Sequence, residues 1–342
     1  MSLLPVDDAV ARLLAGVELL GAETAPLADA GGRVLASDVA ARRTQPPFPA
    51  SAMDGYAVRA ADAVAGARLQ VIGTSRAGER FSGSLHPGQA VRIFTGAPVP
   101  EGADAILIQE NAERQDDTVL VREAVAAGRF IRPAGLDFRA GDVLLETGRI
   151  LGARALSLAA AMGHAALPVR RKPRVAILAN GDELVPPGSE PGPDQIVSSN
   201  NVGLAAFVRQ CGGEATDLGI ARDRQEEIAG FIDRATGADV LVVVGGASVG
   251  EHDLVQAALS QSGMVLDFWR IAMRPGKPLI VGQLGGTRVL GLPGNPVSAL
   301  VCAHVFLKPL LCKLLGLPPG QDLADARLGA AMPANDGRQD YV

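Results

Sequence analysis

The stretch DVLVVVGGASVGEHDLVQAALSQ, residues 239–261, decides the fold. Its unbroken Val and Leu run reads as a strand buried on both faces, its glycines as a turn, and DLVQAALSQ as a helix. The same grammar extends outward. Upstream lie RVAILA (strand), NNVGLAAFVRQCG (helix), EATDLGI (strand) and RQEEIAGFIDRA (helix), and MVLDFWRIAM follows. Repeated strand–helix pairs with apolar strands predict a mostly parallel, doubly wound α/β/α sheet with helices on both faces. RIAMRPGKPLIVGQLGGTRVLGLPGNPVSAL, residues 270–300, closes it. Pro278 to Gly282 and Arg288 to Leu292 form a hairpin about Gly285-Gly286, after which Asn295 is an N-cap and Pro296 a first helical residue. That helix runs to about Leu315.

Elsewhere the composition changes. Val6 to Leu20 carries apolar positions at helical spacing, and LADAGGRVLASDV reads as turn plus strand. RLQVIG, QAVRIF, DAILIQE and TVLVRE are short strands spaced by Gly and Pro, the pattern of a small β domain. AGDVLLETGRILGARALSLAAAMG returns to strand and helix, so the β region is an insertion. The expectation is a multidomain α/β chain. It comprises an N-terminal helix/strand domain in two segments (1–48 and 133–170), an inserted small β domain (49–132), the α/β domain (171–316), and 317–342 as the start of a truncated C-terminal β domain.

The 342 residues carry 32 basic and 37 acidic side chains, net charge −5, with 4% aromatics and no basic stripe, which argues against nucleic acid as a partner. MSLLPVDDAVARLL has no secretory pattern, and the apolar stretch Ala153 to Leu167 is too short and too interrupted to span a membrane. Cys211, Cys302 and Cys312 lack C-x-x-C spacing and fit a reducing cytoplasm. Cys302, Cys312 and His304 share one apolar helix and read as packing residues; with His86 and His164 in other segments, no zinc spacing exists.

In open α/β sheets, ligands bind beyond the carboxyl ends of the strands, so the residues after each strand are informative. These are Glu183 in Asn180-Gly181-Asp182-Glu183, Asp223 after DLGI, and the loop carrying Gly245, Gly246, Ser248, Gly250 and Asp253. Asp223 before Arg224 and Asp253 before Leu254 are also N-cap residues by type. Three carboxylates on one edge, facing Arg270, Arg274 and Lys277, suit a hard cation such as Mg²⁺ with a phosphate or oxyanion. Pro275 and Gly276 shape the basic loop; Gly294, Asn295 and Ser298 lie where a helix start offers N–H donors to an anion. Asp54-Gly55 and Thr95-Gly96 read locally as turns.

SAMDGYAVR, RIFTGAPVPEGADAI, NGDEL, GGASVGEHD, RPGKP and LPGNPVSA, in this order, resemble the molybdopterin molybdenumtransferase family, the MoeA type that also forms the E domain of gephyrin. The resemblance covers about Val6 to Leu317. It implies a transferase of molybdenum cofactor biosynthesis that joins molybdate to adenylated molybdopterin and releases AMP with Mg²⁺. By motif it assigns Glu183, Asp223 and Asp253 to the active-site acids and metal site. It places Arg270, Arg274 and Lys277 in the basic segment, and Asp54 and Thr95 at positions that reach the site from the partner subunit of a homodimer. Molybdopterin adenylyltransferase and recipient molybdoenzymes become possible partners. Departures are Asn180 where many members have Thr, Ser198 where many have Asp, and Arg270 and Arg274 where many have Lys. Two other readings stand beside this one: an adenylyltransferase-like enzyme, whose glycine-rich loop usually reads GGTG, and a non-catalytic scaffold of the gephyrin type.

Overall fold

The computed structural model describes residues 3–245, 254–320, 324–327, 329–331, 335 and 337–341. Two compact units are drawn from it. One comprises Asp38–Glu146 and Ala153–Leu167; the other comprises Met1–Ser37, Thr147–Gly152 and Pro168–Val342. The second opens with helix α1 (Val6–Leu14), whose Val6, Ala9 and Leu13 recur at helical spacing and are buried.

The first unit is built on six strands: β1 (Gly55–Val58), β2 (Arg68–Ser75), β3 (Gln89–Ile93), β4 (Ala105–Ile108), β5 (Ala112–Gln115) and β6 (Thr118–Val121). Their order is β4-β1-β3-β2-β6-β5, antiparallel except for β2 beside β3. Both faces are covered. Tyr56, Val58, Leu107 and Val119 pack on one side, Ala57, Val91, Ile93 and Ile106 on the other. Gly55 starts β1 because nothing larger fits: a Cβ there would lie 2.0 Å from the Leu107 carbonyl oxygen. β1 and β5 fall outside the four runs that alternation picks out, β1 because its four residues are all buried and show no period of two. Helix α2 (Ala153–Ala161) belongs to this unit.

The second unit holds the predicted sheet: β7 (Arg174–Asn180), helix α3 (Asn200–Gln210), β8 (Glu214–Ala221), helix α4 (Gln225–Arg234), β9 (Val240–Val244), helix α5 (Leu254–Gln261), β10 (Val265–Arg270), β11 (Pro278–Leu284) and β12 (Thr287–Leu292). The order is β8-β7-β9-β12-β11-β10; the first four are parallel, and β11 and β10 are antiparallel to their neighbours. Alternate residues serve opposite layers. Val175, Ile177, Val240, Val242 and Val244 face α1, α3 and the last helices, while Ala176, Leu178, Leu241 and Val243 face α4 and α5. Burial on both faces is what makes these strands read as continuous apolar runs.

The last helical stretch is α6 (Pro296–Cys302), a π turn (Ala303–Leu307) and α7 (Lys308–Leu315). Pro309 has no N–H and its ring crowds the carbonyl four residues back, and the π turn relieves that conflict. This stretch is long and apolar enough to cross a membrane by length and composition, yet most of it is buried in the protein. The sequence expectation had singled out Ala153–Leu167 instead. His304 lies edge-on to Phe207 at 4.7 Å, a packing contact.

At the amino edge of the parallel strands, Arg171 grips Asp239 through two bonds of 2.8 and 2.6 Å, and Asp239 also accepts the Arg174 N–H at 2.8 Å. This clamp joins the entries to β7 and β9.

Candidate active site

A cleft of about 900 Å³ opens beyond the carboxyl ends of β7, β8, β9 and β12. Asn180, Gly181 and Glu183 line it after β7, Asp223 after β8, Gly245 after β9, and Pro293, Gly294 and Asn295 after β12. Ile196, Val197, Ser198, Ser199 and Asn200 add a wall. Such a volume accommodates a nucleotide-sized ligand.

Asp223 is not a cap. The N-cap position of α4 falls on Arg224 without a side-chain bond, and Glu227 reaches back past it to the Arg222 N–H at 3.0 Å, tying the loop to the first turn. Asp223 instead accepts from the Asn180 side-chain N–H, and its backbone N–H donates to Asp182 at 3.1 Å. Arg222 laces the same loop, donating to the carbonyls of Asp182 (2.7 Å) and Leu184 (3.2 Å). Glu183 turns its carboxylate over Gly181, where a Cβ would lie 2.5 Å from an oxygen. The floor is equally close. Gly245 has φ +97°, and a Cβ there would lie 2.3 Å from the Asn180 carbonyl oxygen.

The structure thus gathers Glu183, Asp223, Gly245, Gly294 and Asn295 at one cleft. Gly246, Ser248, Gly250 and Asp253 lie outside the described residues. Arg270, Arg274 and Lys277 do not line the cleft, although Pro278, next to Lys277, does. The Arg270 guanidinium lies over Trp269 at 4.0 Å, and Arg274 donates to Asp340 at 2.7 Å. After Pro275, Gly276 takes φ +106° and seats the loop on α6: a Cβ would come within 2.5 Å of the Cys302 sulfur.

At the start of α6, Asn295 caps as expected, and the cap narrows the room for an anion. Its Oδ1 accepts the Ser298 N–H at 3.1 Å and its carbonyl takes the Ala299 N–H at 2.9 Å. Pro296 has none to give, which leaves Val297 as the first-turn donor.

In the β unit, Asp54 and Thr95 meet. One Asp54 oxygen accepts both the backbone N–H and the hydroxyl of Thr95, each at 2.7 Å. These bonds, with the nearby positive charge of Arg92, hold the Asp54 carboxyl below its ordinary pKa against a smaller opposing effect of desolvation. Two segments that read separately as turns are one hydrogen-bonded tip.

The wall residues Ser199 and Asn200 were missed as site residues because polar residues opening a helix read as caps. Asn200 instead donates to the Gly294 carbonyl at 2.8 Å, tying α3 to the β12–α6 turn. Chemically, the cleft offers hard oxygens and hydrogen-bonding groups. Among the described residues no cysteine or histidine lines it, and burial pushes the Cys302 thiol up to about 12. Among the described residues no three His, Cys, Asp or Glu converge as a metal cage. Mg²⁺, however, is usually held by one or two carboxylates with substrate phosphate and water, so Glu183 and Asp223 fit it as a donor set.

Comparison with known proteins agrees with this architecture. Residues 4–163 match the MoeA N-terminal region (domain I and II), and residues 176–313 match a probable molybdopterin binding domain. Molybdopterin molybdenumtransferase 2 of Mycobacterium tuberculosis is 40% identical over 331 residues, covering 93% of this chain and 82% of the relative. The molybdopterin molybdenumtransferase of Haemophilus influenzae is 40% identical over 292 residues, covering 85% and 72%. Two solved structures of the molybdopterin biosynthesis MoeA protein from Pyrococcus horikoshii superpose with TM-scores of 0.82 and 0.79, at 35% and 30% identity. They cover 92% of this chain and 81% and 80% of theirs. The cleft, the β unit and these matches give one conclusion: the chain belongs to the molybdopterin molybdenumtransferase family, transferases of molybdenum cofactor biosynthesis.

Proposed function

We propose that this chain joins molybdate to adenylated molybdopterin at the cleft beyond β7 and β8, with release of AMP. The observation that carries the reading is the freedom of Asp223 from capping: its carboxylate is held by Asn180 at a ligand-sized cleft that Glu183 also lines. Glu183 and Asp223 would hold Mg²⁺, joined by Asp253, and the ion would neutralise phosphate charge. Arg270, Arg274 and Lys277 serve the anionic substrates electrostatically, Arg274 only by giving up its bond to Asp340. Gly245, Gly246, Ser248, Gly250, Pro275, Gly276, Gly294, Asn295 and Ser298 shape the backbone that approaches the ligand.

The protein acts in the cytoplasm as a homodimer in which the Asp54–Thr95 tip completes the site of the partner subunit. The domain boundaries proposed are 1–48 with 133–170, 49–132 and 171–316, with a C-terminal β domain beginning at 317. The test is molybdate-dependent AMP release from adenylated molybdopterin, with and without Mg²⁺. Release that needs both supports the reading; equal release without molybdate contradicts it.

A further inference from the structure

We propose that Arg92 is the positioning residue of the Asp54–Thr95 tip, the group that fixes where the two side chains point. Arg92 stands on β3, opposite Tyr56 on β1, two residues before Phe94 and three before Thr95. Its guanidinium lies 5.1 Å from the centre of the Tyr56 ring and 4.9 Å from that of Phe94. It donates to the carbonyl of Gly55 at 3.1 Å and to the side chain of Gln109 at 3.1 Å. Gln109 in turn donates its backbone N–H to the carbonyl of Asp54 at 3.1 Å.

The connections close a ring. Asp54 is bonded through its side chain to Thr95 and through its carbonyl to Gln109, and its neighbour Gly55 is bonded to Arg92. Arg92 touches both rings flanking the tip and both chain segments that carry it. A cation over two aromatic rings is geometrically restrictive, because the planar guanidinium fits the rings and two fixed acceptors in one orientation. Phe94, immediately before Thr95, is held by that stack. A purely structural arginine would bridge strands without bordering a polar tip; here the tip it borders does no core packing of its own, since Thr95 is exposed and Asp54 half-exposed. The charged groups near it are Arg92 on β3 and Glu110 after β4, the latter 3.4 Å from the Gln109 amide.

That the tip matters to turnover rests on the function proposed above; that Arg92 positions it does not. The test uses the full chain with Arg92→Met, which keeps an apolar stem, and Arg92→Lys, which keeps the charge. Amide exchange at Thr95 and the pH profile of AMP release are measured. The expected result for Arg92→Met is about tenfold faster Thr95 exchange, the loss expected when hydrogen bonds from a charged group go. The acid limb of kcat/KM moves to higher pH, and kcat falls more than KM changes. Arg92→Lys restores the pH profile in part but not the Thr95 protection. Unchanged Thr95 exchange in folded Arg92→Met overturns the inference. If Arg92→Met does not fold, Gln109→Ala removes one anchor alone, and unchanged Thr95 exchange there overturns it equally. Faster exchange combined with full activity of Asp54→Asn leaves the positioning intact and removes Asp54 from the proposed mechanism.

Discussion

Asn180 donates its side-chain N–H to Oδ1 of Asp223 across the carboxyl ends of the neighbouring parallel strands β7 and β8. The bond orients a carboxylate that no helix cap claims. Asn180 itself is 5% exposed, held by the strand, so the acid it orients inherits the rigidity of the sheet.

Replacing Asn180 by Ala frees that carboxylate. Hydrogen bonds to charged groups are worth about 1.5–3 kcal/mol, so a loss of about 10–100-fold in kcat/KM is expected, with little change in Tm. Asn180→Asp sets two carboxylates side by side, which raises the pKa of one, so activity should shift to higher pH. Steady-state kinetics across pH measure both.

Gly245→Ala meets two obstacles together: φ +97° and the Asn180 carbonyl 2.3 Å from the new Cβ. Backbone cannot yield as a flexible side chain would. The expected result is a cost of about 1–3 kcal/mol and a displaced cleft floor, read as a lower Tm together with weakened ligand binding.

Asp239 contributes to stability on the acid side. Burial pushes its pKa up, but the bonds from Arg171 and Arg174 outweigh burial and leave it lowered. A lowered folded-state pKa gives stability that is present above the unfolded pKa and lost as pH falls through the folded one. Asp239→Asn should therefore destabilise by about 1–3 kcal/mol at pH 7 and lose less than the parent on acidification. Urea unfolding at several pH values checks this.

Cys302 should resist thiol reagents in the native protein, because burial holds its thiol up to about 12. Its packing against Gly276 links it to the basic loop. Gly276→Ala is expected to lower both Tm and AMP release, whereas Cys302→Ala, which makes room, should restore part of the loss in the double variant. A double-mutant cycle in Tm and activity shows whether the two residues couple.

The α/β sheet was legible because its strands are buried on both faces, so apolar continuity and the intervening helices declare it. The β unit was half legible: β1 lacks alternation, and only the glycine at its start hints at the close approach to Leu107. Glu183 and Asp223 could be found from the rule that sites lie past strand ends. That Asp223 does not cap could not, because its partner Asn180 lies forty-three positions away and a carboxylate before a helix looks the same either way. The union of Asp54 with Thr95 was equally hidden, since forty-one positions separate them and each is locally a turn.

The most direct measurement is AMP release from adenylated molybdopterin, with molybdate and Mg²⁺, by Asp223→Ala beside the parent chain and with Tm recorded for both. Release abolished at an unchanged Tm is the result expected of a cleft acid that is not a cap. A fully active Asp223→Ala would contradict the assignment of the reaction to this cleft.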